Sequence, residues 1–206
     1  MEQAVKLYEF EAFPNPRRVR VFLAEKGVEV DREQINVPEG EHRSAAFRQK
    51  NPFAGVPVLE LDDGTCISET TAISRYFETK HPEPPLMGRD PQESAEVDMW
   101  QRRIEQGLFE KLLAYFHHAT PGLGALETYQ NKAWGENCRE TAEGMLRQLD
   151  TALAGRNYIA GDFSIADITG LCALDFAAVC GIEVPADCAN VKAWHARLSA
   201  RPSAAA

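Results

Sequence analysis

The segment 51–59, NPFAGVPVL, places a proline directly before β-prone residues, and this arrangement constrains the fold most. Proline has no N–H group to donate to a sheet ladder, so Pro57 must begin its strand at a special turn. A cis Val56–Pro57 bond, which costs only about 0.5–1 kcal/mol relative to trans, is one way to build that turn. We therefore predict that the backbone N–H and C=O of Val56 face outward, where an extended peptide can pair with them.

A second signal follows at Ser68-Glu69-Thr70, which opens an apolar run and predicts a helix over 69–80. The free N–H groups and the positive dipole end of a helix start attract a carboxylate. A compatible alternative makes Ser68 the N-cap and leaves Glu69 in the first turn. Peptide pairing beside a carboxylate-binding helix start indicates a site for a small acidic peptide.

Composition narrows the classes of function. The net charge of −9 and the lack of a broad basic segment indicate no nucleic-acid partner. The basic cluster 17–20 is a solvated helix face or a positive rim around an anionic ligand. No apolar run approaches the ~20 residues that a membrane span needs, so we expect no membrane partner. The start of the chain lacks the pattern of a secretory signal, and the five cysteines suit neither a disulfide framework nor a zinc site. We expect a cytoplasmic protein.

Local patterns predict two domains. In residues 1–82 they predict the order β-α-β-α-β-β-α, with the first helix ending at Gly27 and a hairpin turning at 62–64. The helix 69–80 is expected to bury Ala72, Ile73, Tyr76 and Phe77. Residues 83–90 are a linker because their prolines cannot continue a helix. Residues 91–206 are predicted to be all-helical, with helices at 91–118, 127–153, 165–179 and 191–198.

The ordered set of motifs resembles the glutathione transferase family. Val56-Pro57 is similar to its Val-Pro turn, and Glu69-Thr70 to the Glu-Ser pair that holds the γ-glutamyl group of glutathione. Residues 15–27 look like its first helix, 62–64 like its hairpin turn, and 161–167 like the capping box of its second domain. The resemblance implies an α/β thioredoxin-like N-terminal domain followed by an all-α helical-bundle C-terminal domain. It also implies a homodimer that uses glutathione and no metal.

The resemblance implies a set of binding residues. Val56, Pro57, Glu69 and Thr70 would hold the glutathione peptide, and His42, Arg43 or Lys50 would meet its glycyl carboxylate; we favour Lys50. For the pocket of a second, electrophilic substrate, the implied candidates are Phe10, Phe13, Arg103 and Tyr115. Arg103 and Tyr115 are equally compatible with core or dimer contacts.

The loop that carries the thiol-activating residue in this family has a different residue here. Phe13 stands where many relatives have a catalytic Ser or Thr, and the loop 9–15 contains no cysteine. Asn15 matches an asparagine whose amide donates to sulfur in bacterial and fungal-like relatives, and we predict that it is the catalytic donor. The alternatives are that Asn15 only caps the first helix, that a backbone N–H is the donor, or that Tyr8 is.

The predicted function is that of a glutathione transferase, which activates the glutathione thiol for attack on an electrophilic small molecule; the partner substrate is a small electrophile or a peroxide. A glutathione-dependent disulfide or peroxide reductase, or a non-catalytic binding or regulatory protein of the same fold, are alternatives. Ser164 and Asp167 form a predicted capping box that we interpret as a folding device. The adjacent pair His117-His118 points in directions about 100° apart on a helix, which argues against a shared metal.

Overall fold

The computed structural model describes residues 5–206, and the chain divides after Pro84 into two compact units. The first unit is an α/β domain of the thioredoxin-like type, and the second, Pro85–Ala205, is all-helical, which confirms the predicted fold class. The elements of the first unit are β1 (Lys6–Glu9), α1 (Pro14–Lys26), β2 (Asp31–Gln34), a 3-10 turn (Glu41–Arg43), α2 (Ala45–Lys50), β3 (Val58–Glu60), β4 (Cys66–Ser68) and α3 (Thr70–Lys80).

The four strands form one mixed sheet in the order β2-β1-β3-β4. β1 pairs in parallel with β2 and antiparallel with β3, and β3 pairs antiparallel with β4. Because side chains alternate between faces, Tyr8 and Val58 share one face, where they form a buried cluster with Phe47 of α2. Leu7 and Leu59, both fully buried, lie on the other face.

Local chemistry explains the ends of α1. Its first turn accepts Pro14 because the N–H that proline lacks would have no intrahelical partner there. Gly27 ends the helix with φ of 63°, and its N–H bonds the carbonyl groups of Leu23 and Ala24. The predicted stop at Gly27 is therefore confirmed.

Helix α3 corrects one part of the predicted core. Ile73 and Phe77 are buried as expected, with exposures of 0% and 1%. Ala72, however, is exposed and Tyr76 is only half-buried. The periodicity places these two residues on the flank of the helix that faces away from the sheet.

The second unit contains α4 (Pro91–Ile104), α5 (Glu110–Ala119), α6 (Lys132–Ala152), α7 (Ile165–Val179) and α8 (Ala189–Ser199), with 3-10 turns at Gly124–Leu126 and Pro202–Ala205. The predicted helix 91–118 is interrupted by a π-helical turn, Glu105–Phe109. The predicted helix 127–153 begins later, because the Asn131 side chain accepts the N–H of Trp134 and fixes the start of α6 at Lys132.

Helix α7 has the predicted bounds and is buried almost all round. It packs closely on α8, since a Cβ on Gly170 would lie 2.1 Å from Cη2 of Trp194. Trp194 is itself fully buried in the helical core. Glycine at position 170 is therefore required by the close approach of the indole ring.

The start of α7 is the predicted capping box, and it is more extensive than the local sequence implies. Asp167 is fully buried. Its Oδ2 accepts the N–H and the hydroxyl of Ser164 at 3.0 and 3.2 Å, and its Oδ1 accepts the Ile159 N–H at 3.1 Å and Trp194 Nε1 at 2.8 Å. Burial raises the pKa of the Asp167 carboxyl to about 6. This residue joins α7, α8 and the preceding loop, as the folding-device interpretation requires.

Candidate functional site

Three segments of the first unit meet at one end of the sheet. Val58 lies opposite both Tyr8 of β1 and Ser68 of β4 in the two antiparallel ladders. The chain before Val58 and the chain after Ser68 therefore extend from the same end of the sheet, as does the chain that leaves β1. The sheet register thus gathers the Val56-Pro57 turn, the start of α3 and the loop that enters α1.

The start of α3 has no side-chain cap. The helix begins at Thr70, and Ser68 is the last residue of β4, so Ser68 is not the N-cap. Glu69 takes that position with φ of 71° and ψ of 122°, a conformation that costs a non-glycine residue roughly 1–3 kcal/mol. Within the described part of the chain, the backbone N–H groups of Thr70 and Thr71 have no acceptor, and Thr71 Oγ1 is buried without a partner. An exposed carboxylate thus stands beside open donors.

The turn before β3 presents an open backbone edge. The Val56–Pro57 peptide bond is cis. Among the described residues, neither the N–H nor the C=O of Val56 has a hydrogen-bond partner. The preceding loop is held by the Asn51 side chain, whose Nδ2 donates to Gly55 O at 2.9 Å and whose Oδ1 accepts the Phe53 N–H at 3.1 Å. The free edge of Val56 is therefore presented by an ordered loop.

The loop into α1 carries Asn15 in the first turn of the helix. Phe13 is the N-cap and has no side-chain capping bond, so Asn15 does not cap the helix. Asn15 Oδ1 lies 3.2 Å from Arg18 Nη1. A guanidinium has no acceptor, so the amide oxygen must face Arg18 and the NH₂ group must point the other way. Half-buried Asn15 thus offers a donor whose orientation is fixed by its own helix.

Aromatic side chains surround this end of the sheet. Phe10 and Phe13 meet edge to face with ring centroids 4.8 Å apart. Both rings, together with Val56, pack against the cluster that contains Tyr8. The structure therefore brings the loop into α1 and the Val56 edge against one common apolar cluster.

Tyr8 is committed to a different contact. Its hydroxyl donates to Glu60 Oε2 at 2.5 Å, and its side chain is only 6% exposed. Burial raises the pKa of Tyr8. Lys50 Nζ lies 2.6 Å from the same Glu60 oxygen and 4.5 Å from the centre of the Tyr8 ring. The hydrogen bond to Glu60 raises the pKa of Lys50, and the reciprocal bond lowers the pKa of Glu60. The ammonium of Lys50 is thus already paired within the protein.

His42 has a buried ring nitrogen with no hydrogen-bond partner among the described residues. It lies in the 3-10 turn and is 7% exposed, and its Nδ1 is buried without a hydrogen-bond partner among the described residues. Burial lowers the pKa of His42, with a smaller effect from Arg43 and Arg48. His42 is therefore a neutral imidazole near neutral pH, able to donate or accept one further hydrogen bond.

In the second unit, Arg103 and Tyr115 have separate surroundings. The Arg103 guanidinium lies over the Trp100 ring at 4.8 Å and lines a shallow groove of about 520 Å³ with Met99, Gly107 and Met145. Tyr115 packs against the helical core, and its ring faces Arg139 at 6.0 Å.

The two adjacent histidines contact different partners. His117 Nδ1 lies 2.6 Å from Glu127 Oε1, while His118 Nδ1 accepts the N–H of Asn131 at 3.2 Å.

In residues 5–206 no group of three His, Cys, Asp or Glu side chains could hold a metal ion. No helix in this range is long and apolar enough to cross a membrane. None of the five cysteines, all of which lie in this range, is in a disulfide bond.

A thioredoxin-like domain with an open Val-Pro edge, followed by an all-helical domain, defines the class of this protein. The family model for the glutathione S-transferase N-terminal domain matches residues 14–80, and that for the C-terminal domain matches residues 105–202. The chain is 45% identical to Glutathione S-transferase 2 of Saccharomyces cerevisiae, over 98% of this chain and 89% of that protein. It therefore belongs to the glutathione S-transferase family.

Solved structures agree over nearly the whole length. A glutathione S-transferase domain-containing protein of Marinobacter aquaeolei VT8 matches with a TM-score of 0.94 and 46% identity, covering 96% of this chain and 98% of that one. Gtt2 of Saccharomyces cerevisiae matches with a TM-score of 0.93 and 45% identity, covering 96% of this chain and 97% of that one.

Proposed function

We propose that this family member binds glutathione at the end of its sheet and activates the thiol for attack on an electrophilic small molecule. The observation that carries the proposal is the uncapped start of α3 beside the open Val56 edge. The first N–H groups of a helix have no intrahelical partner, and an unpaired strand edge can accept an extended peptide, so one ligand can complete both sets of open groups. A short acidic peptide supplies both the strand-like backbone and the carboxylate that these groups require.

The proposed contacts are given in the order of the glutathione residues, from the γ-glutamyl group to the glycyl carboxylate. The first-turn N–H groups and the Thr70 hydroxyl bind the α-carboxylate of the γ-glutamyl group, and the Glu69 carboxylate binds its ammonium. Val56, presented by Pro57, pairs with the cysteinyl amide. His42 donates to the glycyl carboxylate from its open ring nitrogen. Lys50 adds long-range attraction only, because Glu60 already pairs its charge.

The thiol then lies toward the start of α1. A free thiol has a pKa of ~8.5, and a hydrogen-bond donor beside a helix N-terminus lowers it. Phe13 has no donor to offer and Tyr8 is bound to Glu60. The Asn15 NH₂ group is therefore the proposed catalytic donor. The thiol proton leaves to solvent, and the thiolate forms the new bond to the electrophile while the leaving group departs with the displaced electron pair. We propose that Phe10 and Phe13 contact the electrophile, with Arg103 and Tyr115 as further candidates.

The experiment that tests this proposal measures the thiolate absorbance of bound glutathione against pH in the wild type and in Asn15→Ala. The variant is expected to raise the apparent pKa of the bound thiol and to lower turnover about ten- to a hundredfold, at about 1.4 kcal/mol per decade. Glutathione affinity should change less, because Val56, Glu69 and Thr70 hold the peptide. Tyr8→Phe is the matched control and should leave the thiol pKa unchanged.

Two results would redirect the proposal. If Asn15→Ala leaves pKa and turnover untouched, a backbone N–H at the start of α1 is the donor. If the wild type fails to bind immobilised glutathione, the chain is a non-catalytic protein of this fold.

A panel of an aryl halide, hydroxyethyl disulfide and a hydroperoxide separates transferase from reductase activity. In the reductase alternative both thiols would come from glutathione, because the loop 9–15 contains no cysteine.

We further propose that the protein is a homodimer. Phe53 is 87% exposed at the tip of its ordered loop. The outer flank of α3, with Ala72, Tyr76 and Thr79, lines a mainly apolar groove of about 570 Å³. Exposed apolar surface of this kind is typical of subunit contacts. Sedimentation showing a monomer at micromolar concentration would contradict this proposal.

A further inference from the structure

The loop between β1 and α1 is held by side chains from outside it. Glu11 and Ala12 in this loop are exposed. Even so, both backbone groups of Glu11 are bound: its N–H donates to Gln34 Oε1 at 2.9 Å, and its C=O accepts from Arg20 Nη2 at 3.0 Å. The next turn closes with Phe13 N–H donating to Phe10 O at 3.0 Å. An exposed loop is thus fixed on both sides of one residue.

The two side chains that hold Glu11 are themselves fixed by Glu9. Arg20 Nη1 lies 2.5 Å from Glu9 Oε2, and Gln34 Nε2 donates to Glu9 Oε1 at 3.2 Å. Glu9 is fully buried and Arg20 is 7% exposed, while Arg32 approaches Glu9 Oε1 at 3.5 Å from the surface. A buried carboxylate and guanidinium are retained only when paired and hydrogen-bonded. This Glu9–Arg20–Gln34 network joins β1, α1 and β2.

The network stands directly before the proposed thiol site. The loop that it fixes ends at Phe13, the N-cap of α1, and Asn15 follows in the first turn. Because catalysis depends on sub-ångström placement of the donor, a shift of about 1 Å at this loop can cost about a hundredfold in rate. Neither Gln34 nor Arg20 is needed to bind peptide at Val56 or at the start of α3.

We propose that Gln34 and Arg20 are positioning residues that hold the loop into α1 in the geometry required for thiol activation. The inference rests on the proposed glutathione transferase function. Gln34 is the more informative of the two, because its side chain is exposed on an edge strand and contributes nothing to the apolar core. Its side chain makes two hydrogen bonds, one with the Glu11 N–H and one with the Glu9 carboxylate.

The test compares variants that remove the bonds but keep shape or charge. Gln34→Met keeps the length of the side chain and loses both hydrogen bonds. Arg20→Lys keeps a positive charge near Glu9 but lacks the planar fork that reaches Glu11 O. Glu33→Ala is the matched control, because Glu33 is the neighbouring exposed residue of β2 and bonds only the surface Lys6 in this strand pair.

The readouts are turnover, the pH dependence of thiolate absorbance of bound glutathione, and the affinity for S-methylglutathione, which has no thiol to activate. We expect Gln34→Met and Arg20→Lys to lower turnover about tenfold and to raise the apparent thiol pKa. Their affinity for S-methylglutathione should stay within about twofold of the wild type. Glu33→Ala should match the wild type in all three measurements.

Three outcomes would overturn the inference. Variants that behave like Glu33→Ala would show that the network does not position the loop, while leaving the glutathione proposal intact. Variants that lose S-methylglutathione affinity and thermal stability in proportion to turnover would show a purely structural role. If the wild type binds no glutathione, or if the thiol pKa of bound glutathione equals that of free glutathione, the proposed function and this inference are both overturned.

Discussion

The starts of α3 and α7 are two helix N-termini of opposite character. At α7, Ser164 and Asp167 complete a capping box that is buried, and every oxygen of the carboxylate is hydrogen-bonded. At α3, Glu69 is exposed in a strained conformation, and the first-turn N–H groups of Thr70 and Thr71 have no acceptor among residues 5–206. Both starts place an acidic residue near a helix dipole, yet only one of them is satisfied within the protein.

The difference separates a stabilising site from a proposed binding site. A fully satisfied buried polar group rigidifies the fold, whereas an unsatisfied and strained one persists only where the surrounding structure holds it. The helix start at α7 has hydrogen-bonded polar groups, whereas the start at α3 has open donors and a strained residue. Departures of this kind from the usual local pattern are expected at functional sites. Changes at the α7 start should therefore affect stability, and changes at the α3 start should affect binding.

The largest expected effect is that of Asp167→Ala on stability. Removing the carboxylate leaves the Ile159 N–H and Trp194 Nε1 buried without acceptors, so we expect a loss of about 4 kcal/mol in the free energy of unfolding. Urea denaturation measures it. Asp162→Ala is the control, because Asp162 is exposed in the same segment and should change stability by less than about 0.5 kcal/mol. Equal effects of the two variants would show that the capping box is not a stabilising site.

The second effect is the pH dependence of that contribution. The folded-state pKa of Asp167, about 6, lies above its ordinary value of 3.8. Between these pH values the folded chain holds more protons than the unfolded chain, so the stabilising contribution is complete below about pH 3 and is lost as pH rises through 6. The stability of the wild type minus that of Asp167→Asn should therefore fall by about 3 kcal/mol between pH 3 and pH 8. A difference that grows with pH would mean that the four donors outweigh burial.

The third effect is on binding at α3. Glu69→Ala should weaken glutathione by roughly 1.5–3 kcal/mol, the range for hydrogen bonds to charged groups, while the fold is retained. Calorimetry measures the affinity, and Asp62→Ala, an exposed carboxylate of the hairpin, is the control. Unchanged affinity in Glu69→Ala would remove Glu69 from the site and would make the contrast between the two helix starts one of structure alone.

The smallest effect concerns strain. Glu69→Gly and Glu69→Ala both remove the carboxylate, but only glycine adopts φ of 71° without steric cost. The glycine variant should therefore be more stable than the alanine variant by about 1 kcal/mol, with equally weak glutathione binding. If thermal denaturation shows the alanine variant to be as stable as the glycine variant, position 69 stores no strain.

Features that rest on neighbouring residues were predictable from the sequence. Gly27 stops α1, the turn 62–64 closes the hairpin, and Ser164 and Asp167 cap a buried α7, because each depends on residues a few positions apart. Predictions that extended a helix by periodicity alone were less accurate. The π-helical turn at Glu105–Phe109 and the start of α6 at Lys132 depend on packing and on one side-chain cap, which periodicity does not show.

The details of the candidate site depended more on the tertiary structure. One alternative from the sequence made Ser68 the helix cap, but strand pairing with Val58 keeps Ser68 in β4 and Glu69 takes the cap position. It favoured Lys50 for the glycyl carboxylate, which stays a prediction; the structure adds that Glu60 of β3 pairs the Lys50 ammonium and that His42 Nδ1 has no partner among the described residues. In both cases the deciding partner lies on a different element.

The sequence by itself determined the family, the order of the elements and the motifs that meet at the site, since these depend on residue type and spacing. Only the tertiary structure decided which polar groups are satisfied and which are open. That distinction arises because β1, α1 and β2 bring Glu9, Arg20 and Gln34 together, and because the sheet register sets Val56 beside the start of α3. Hydrogen bonding between distant elements has no signature in local sequence, and at this site it separates the proposed positioning residues from the groups that are proposed to bind glutathione.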